Sequence, residues 1–352
     1  MRQNTETICD KGRTSTMFFI CVTFCLAQPL QAQWTPPVFP DASLSKPIIE
    51  KEIEPLSREC TLLFVGDLMQ HGPQIKRAQQ EDGTFDYTGC FTEVKPYIEA
   101  ADLAIGNLEV TLGGEPYRGY PCFSAPDAWL ETLIATGFDI VTTSNNHCLD
   151  RGRYGLERTL LMTDSLGILA LGTYRDASDR AKRYPLLVEK NGIRIAFLTY
   201  TYGMNGFTVS EPNIVNTIDT VMIKEDLAQV YREHPDVVIA LMHWGTEYRL
   251  SPDSYQEFYA RWLLNHGVDH IIGGHPHVIE PTEWRSYDCY PDNHLIVWSQ
   301  GNFISNMSAP NTFDGTMLTL TLRKTGQVTR IVKDESHIVR TMRPDYRLTI
   351  ID

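Results

Sequence analysis

The chain has 352 residues, long enough to bury one large core or two modest ones. Its formal net charge is -13, and no Lys/Arg-rich run occurs along it. That balance argues against a nucleic-acid partner, because phosphate neutralisation needs a basic face, and it leaves open a small anionic substrate held through metal.

At the N-terminus, Lys11 and Arg13 precede the apolar run Met17–Ala27, and the small residue Ala32 follows shortly after. This pattern reads as a secretory signal peptide over residues 1–32, with the product exported to the periplasm or cell surface; a retained membrane anchor is the competing reading. Cys21 and Cys25 follow Ile20 and Phe24, which are too large for a lipoprotein processing site. Residues 33–58 include "TPPVFPDASLSKP", proline-rich and without periodicity, and read as a linker. Five cysteines remain after processing: Cys60, Cys90, Cys122, Cys148 and Cys289. The odd number leaves at least one thiol free, and without a CxxC spacing they read as buried small side chains, with or without one disulfide.

From Cys60 onward, strand-length apolar runs alternate with amphipathic segments. The strand "TLLFVGD" is followed by "ADLAIGNLE", a helix over "PDAWLETLIATG", the strand "FDIVTTSNN", a helix over "YGLERTLLMTDSLG" and the strand "ILALG". Such β/α alternation predicts a sheet with parallel strands and right-handed crossovers. In "YPLLVEKNGIRIAFLTYTY" two apolar runs meet at Asn191-Gly192, a hairpin signal that makes the sheet mixed. The helix "IKEDLAQVYREH" then leads to "DVVIALMHWG", and "SYQEFYARWLLNHG" leads to "VDHIIGGHPHV". "HLIVWSQGNF" begins an all-strand tail that includes "TMLTLTLRKTGQVTRIVK".

In open α/β sheets, ligands collect beyond the carboxyl ends of the strands. Six such ends carry polar chemistry here: Asp67; Asn107 and Glu109; Asn145, Asn146 and His147; His243; His275 and His277; and Asn302. Each has a plainer account on its own. Asp67 can cap a helix, Glu109 can solvate a turn, Asn146 can sit in a left-handed turn, and His243 can be a hydrogen-bonded core residue. Together they predict a metal centre, and oxygen and imidazole ligands without thiolate suit Mn, Fe, Zn or Mg in a two-metal hydrolytic site. Strand alternation puts His275 and His277 on one side, where both reach that centre.

The ordered motifs "GDLM", "NLE", "NNHCLDRG", "HWGTEY", "GGHPHV" and "SQGNF" resemble the bacterial capsule-synthesis CapA family, linked to poly-γ-glutamate, within the calcineurin-like metallophosphoesterase superfamily. The resemblance runs from Cys60 to Asn306. It implies a four-layer α/β sandwich of two mixed sheets flanked by helices, over residues 59–310, with a β-rich extension at 311–352 packing on the same domain. It implies two divalent ions: Asp67 and His277 on the first, Glu109 bridging, and Asn146, His243 and His275 on the second. His147 would be the general acid and Asp150 the carboxylate that orients it.

One departure stands out. The superfamily places Asp-x-His in the first motif, whereas this chain has Asp67-Leu68-Met69, a loss that CapA-like proteins share; His71 is a candidate substitute. Trp244, Glu247 and Tyr248, with Asn302, are assigned to substrate contact, the first three with packing around His243 as the alternative. Two functions compete. One is a metal-dependent hydrolase of a phosphoester or surface-polymer linkage; the other is a non-catalytic polymer-binding, assembly or export component working with other capsule or poly-γ-glutamate synthesis proteins. Retention of His147 favours the first, and Met69 favours the second.

Overall fold

Strand β1 (Ser57–Leu68) organises the first sheet. The structure, a computed structural model, describes residues 56–287 and 290–352. The segment read as a signal peptide, most of the linker and Cys289 lie outside the described residues. Because β1 starts at Ser57, the last two positions assigned to the linker are already in the sheet. Along β1, Leu62 and Phe64 enter one apolar cluster while Leu63 and Val65 enter another. Successive side chains on a strand point to opposite faces, so a run that is apolar on both faces belongs between two buried layers.

Strands β2 (Leu103–Leu108), β3 (Ile140–Thr142) and β4 (Leu169–Leu171) extend the sheet from β1 in parallel. On its other side lie β14 (Asp314–Thr325), β15 (Val328–Met342) and β16 (Arg347–Ile350), all antiparallel to their neighbours, and the short β13 (Asn302–Ile304) pairs parallel with the end of β1. The segment expected to pack on the domain as an extension is therefore part of the sheet itself. β14 is in register with β1 from Ser57 opposite Thr325 to Val65 opposite Met317.

The second sheet contains β6 (Leu186–Lys190), β7 (Ile193–Thr201), β9 (Val237–His243), β10 (His270–Gly274), β11 (Thr282–Tyr287) and β12 (Tyr290–Val297), in the order β11-β12-β10-β9-β7-β6. The β6–β7 hairpin turns at Asn191 and Gly192, with φ of 52° and 73°, as the Asn-Gly pair predicts. A separate pair joins β5 (Thr173–Tyr174) to β8 (Ile214–Val215).

Helices close the outer faces. Ile98 of α2 (Lys95–Ala100) and Trp129, Leu130 and Leu133 of α3 (Asp127–Thr136) pack with Leu63 and Val65. Ile223, Leu227 and Val230 of α6 (Thr220–Arg232), with Leu263 and Leu264 of α7 (Ser254–Asn265), pack with the second sheet. Each such side chain, once buried, contributes about 1.5–3 kcal/mol. Asp219 and Asp253 cap α6 and α7 by accepting backbone N–H groups, and Gly137 ends α3 in the left-handed region at φ 112°. The result is the expected helix–sheet–sheet–helix sandwich. Cys60, Cys90, Cys122 and Cys148 are free thiols, and all but Cys122 are buried.

The close approach of β1 and β13 depends on Gly66. A Cβ at that position would lie 1.9 Å from the Gly301 carbonyl oxygen, the same atom that accepts from the Asp67 N–H at 3.0 Å. Gly66→Ala must push backbone against backbone, so it is expected to cost at least the about 1–3 kcal/mol typical of overpacking. Urea denaturation measures this; an unchanged midpoint would mean that β13 yields freely.

Candidate metal centre

The carboxyl ends of parallel strands from both sheets converge on one polar pocket. Asp67 lies at the end of β1, Glu109 directly follows β2, Asn146 and His147 sit in the turn after β3, His243 ends β9, and His275 and His277 follow β10. All seven residues are at most 4% exposed. Glu109 is at the centre. Its Oε1 lies 3.7 Å from His243 Nε2 and 3.8 Å from His277 Nε2, and makes no hydrogen bond. His277 Nδ1 is 3.1 Å from Asp67 Oδ2.

Two ligand-like triads share Glu109: Asp67–Glu109–His277 and Glu109–His243–His275, each with donor atoms within 4.8 Å of one another. Burial works against the Asp67 carboxylate, but the His277 hydrogen bond and nearby imidazoles hold it well below the ordinary carboxylate range. For Glu109, burial and then the charge of Asp67 push the carboxyl well above its usual value. Burial also lowers His243 to about 3 and His275 well below 6.5, so both imidazoles present lone pairs. An unpaired Glu109 oxygen, an unpaired His275 Nδ1 and neutral imidazoles around two carboxylates form a donor set that a divalent cation fits.

His243 Nε2 is 3.0 Å from Asn146 Oδ1, which places the amide oxygen beside the second triad. The neighbouring His147 points its Nδ1 at Asp150 Oδ2, 2.8 Å away. That carboxylate oxygen also accepts the Phe123 N–H at 2.7 Å, and the Phe123 ring meets the imidazole edge-on at 4.7 Å. With Nδ1 donating to Asp150, Nε2 is left as the atom free to exchange a proton. The expected His147–Asp150 pairing is thus formed.

Other expectations change. His275 and His277 are not consecutive inward positions of a strand: β10 stops at Gly274, and the two histidines have φ of 98° and 59°. Left-handed backbone is costly for a side-chain-bearing residue and clusters at functional sites. It is held by Trp244 N–H donating to Gly274 O at 3.1 Å and Tyr248 N–H donating to Pro276 O at 2.8 Å. Trp244 is a packing residue rather than a substrate contact. It is fully buried, stacked on Trp298, and its indole N–H donates to Trp298 O at 3.1 Å.

Asn302 likewise does not face a substrate. It opens β13 instead of ending a strand, is fully buried, and sets its Oδ1 3.1 Å from His277 Nδ1 while Nδ2 donates to Thr312 O. It positions His277. Met69 turns away into the apolar cluster beneath the helices, so its thioether does not replace an imidazole. His71 falls outside both triads and instead accepts the Asn306 N–H at Nδ1, 3.2 Å away.

Glu247 and Tyr248 do lie at the open edge, where Glu247 forms a third ligand-like group with His275 and His277. Two contributors, Asn205 and Tyr202, escape sequence reasoning, and Asn107 has a role that it did not assign. Asn107 Nδ2 donates to Asp67 Oδ1 at 2.8 Å and reaches Glu109 Oε2 at 3.3 Å, which ties the two carboxylates together. Its position at a strand end signalled proximity but not this role. Asn205 accepts from Asn146 Nδ2 at 3.3 Å, and Tyr202 packs on His275 with ring centroids 4.4 Å apart. Both stand on the loop after β7, where no periodicity marks them.

Residues 61–307 match the family model of the bacterial capsule synthesis protein PGA_cap. The chain is 28% identical over 293 residues to the capsule biosynthesis protein CapA of Bacillus anthracis, covering 80% of this chain and 67% of the relative. It is also 28% identical over 273 residues to the PGA biosynthesis protein CapA of Bacillus subtilis strain 168, covering 75% of this chain and 68% of the relative. Among solved structures, the NAD nucleotidase NadN of Haemophilus influenzae superposes with a TM-score of 0.51 at 13% identity, over 84% of this chain and 60% of that one. That likeness is one of fold.

Proposed function

The chain belongs to the bacterial capsule synthesis family PGA_cap, and from that premise we propose that it is an exported, metal-dependent hydrolase acting on a phosphoester or surface-polymer linkage in capsule or poly-γ-glutamate biosynthesis. The observation that carries this reading is the unpaired Glu109 oxygen shared by two triads, with the His147–Asp150 pair alongside. Asp67, Glu109 and His277 would hold one divalent ion, and Glu109, His243, His275 and Asn146 a second. When bound, such ions supply Lewis acidity at a phosphoryl oxygen and acidify water.

The chain's own residues do the rest. Asp150 fixes the His147 tautomer, and His147 gives its proton to the leaving oxygen. Asn302 and Asn107 hold His277 and Asp67 in place, which limits reorganisation during the reaction. The proposed partners are an anionic polymer or phosphoester and other capsule-synthesis proteins, and the names of the two Bacillus relatives support that placement. The second reading, a non-catalytic binding or export component, is favoured by Met69, which leaves the Asp67 triad one imidazole short of the superfamily pattern.

Metal analysis and turnover of bis(4-nitrophenyl) phosphate separate the two. The hydrolase reading expects up to two Mn²⁺ per chain and activity that is abolished by chelation and restored by Mn²⁺. Full metal binding without turnover of any phosphoester, together with capsule formation supported by His147→Ala in cells, would establish the binding reading instead.

A further inference from the structure

A second cavity lies where the first motif leaves the sheet. Gln70 follows the end of β1 by two residues, and helix α1 (Gly72–Ala78), the short turn Thr88–Cys90 and the start of β16 contribute the other walls of a space of about 330 Å³. Cavities of this size hold small molecules. Two of the residues lining it are buried and unsatisfied. Gln70 is fully buried, and neither its amide oxygen nor its amide nitrogen has a hydrogen-bond partner among the described residues. Tyr87, 2% exposed, carries an equally unpartnered hydroxyl, and its ring is fixed edge-on against Trp129 with centroids 5.2 Å apart. Buried polar groups without partners are costly, so three such atoms lining one cavity call for an occupant that pairs with them.

Most of the other polar lining is already engaged. Gln74 donates to Met69 O at 3.1 Å and accepts the His71 N–H at 2.8 Å, Gln80 donates to Ala78 O at 2.7 Å, and the Tyr346 hydroxyl donates to Asn306 Oδ1 at 2.9 Å. The charged lining residues Arg77, Asp86, Asp345 and Arg347 are all exposed, and Arg77 pairs with Asp345 at 3.1 Å. What remains to be matched is one amide and one hydroxyl, both neutral. A phosphate, carboxylate or metal ion seated on them would be buried without a counter-charge. A sugar would bring further hydroxyls against Ala78 and Gly89, which offer them no side-chain partner. A primary carboxamide closes the account. Its N–H donates to Gln70 Oε1, and its oxygen, with two lone pairs, accepts from Gln70 Nε2 and from the Tyr87 hydroxyl. The N–H and C=O of a trans peptide link point in opposite directions, so such a link cannot form both bonds with one glutamine amide.

We infer that this cavity is a binding site for a primary carboxamide, carried by a small molecule or by an amidated side chain of a polymer, with Gln70 and Tyr87 as the groups that recognise it. The site is separate from the metal centre and does not depend on hydrolysis there.

Calorimetric and NMR titrations of the full chain test this with N-acetylglutamine, its carboxylate counterpart N-acetylglutamate, its side-chain dimethylamide and a short glycine–glutamine repeat peptide. N-acetylglutamine is expected to saturate one site, with the carboxylate and the dimethylamide at least about tenfold weaker, the scale of leaving a buried partner unpaired. Gln70→Met and Tyr87→Phe are each expected to weaken N-acetylglutamine by about tenfold, while the melting temperature of the unliganded protein holds or rises because an unsatisfied polar group has been replaced by an apolar one. Tighter binding of the repeat peptide identifies a chain as the source of the amide, and tighter binding of N-acetylglutamine identifies a small molecule; either result supports the site. Equal affinity for the glutamine and glutamate derivatives, affinity unchanged in both variants, or binding abolished by metal chelation would overturn it. So would the absence of saturable binding by any amide, which is the behaviour of a cavity holding water alone. None of these readouts involves turnover, so the phosphoesterase reading stands or falls separately.

Discussion

Glu109→Gln is expected to strip the protein of its metal and of turnover while leaving its apo fold at least as stable as wild type. Glu109 is the residue common to both triads, and its Oε1 is the atom between His243 and His277. Changes around a metal's ligands already cost about 10–100-fold in affinity, and loss of a shared ligand is expected at or beyond the upper end. At a free metal concentration about 1,000 times Kd, bound metal stabilises a fold by about 4 kcal/mol; at ten times Kd this falls to about 1.4 kcal/mol. Thermal unfolding with and without Mn²⁺ therefore reads the loss directly. The apo comparison moves the other way, because burial and Asp67 raise the Glu109 carboxyl. A raised acid stabilises the fold below its unfolded pKa, and that contribution disappears as pH rises through the folded value. The neutral amide escapes this, so the apo variant's advantage should widen toward alkaline pH. A variant with wild-type metal content would remove Glu109 from the bridging position.

The second large effect falls on chemistry alone. His147→Ala is expected to keep full metal content and a wild-type melting temperature while losing about 10²–10⁴-fold in kcat, the usual contribution of a positioned proton donor. The separation follows from geometry: His147 is joined to Asp150 at 2.8 Å and belongs to neither triad. Its neighbour Asn146 touches His243 at 3.0 Å, so Asn146→Ala should weaken metal binding instead. Single-turnover kinetics at saturating Mn²⁺ distinguish the two variants. Loss of metal from His147→Ala, or retained turnover, would take the general-acid role from His147.

Much of the site is legible because parallel strands deliver their carboxyl ends to the same side. Once "TLLFVGD", "ADLAIGNLE" and "DVVIALMHWG" read as strands, Asp67 and Glu109 share one end of the first sheet and His243 stands at the same end of the second as Gly274, next to His275, regardless of the intervening chain. Trp244 and Asn302 were open to a substrate role because an aromatic or an amide beside a ligand serves packing and binding equally well in sequence. Burial of both side chains, with their partners Trp298 and His277, decides for packing and positioning.

By itself, then, the sequence determined the β/α alternation of a mixed sheet, the hairpin at Asn191-Gly192 and the identity of the buried donors, all of which follow from local periodicity and from which end of a strand a polar residue occupies, while the four-layer sandwich was implied by the family resemblance of its ordered motifs. Tertiary structure alone decided three things. The C-terminal strands β14–β16 complete the first sheet, because β1 finds β14 across more than two hundred residues and both run apolar on matching faces. His275 and His277 reach the centre through left-handed backbone that strand alternation does not predict. Tyr202 and Tyr248 come from separate loops to lie beside His275 and His277, and loops without period carry no signal of where they meet until packed elements bring their ends together.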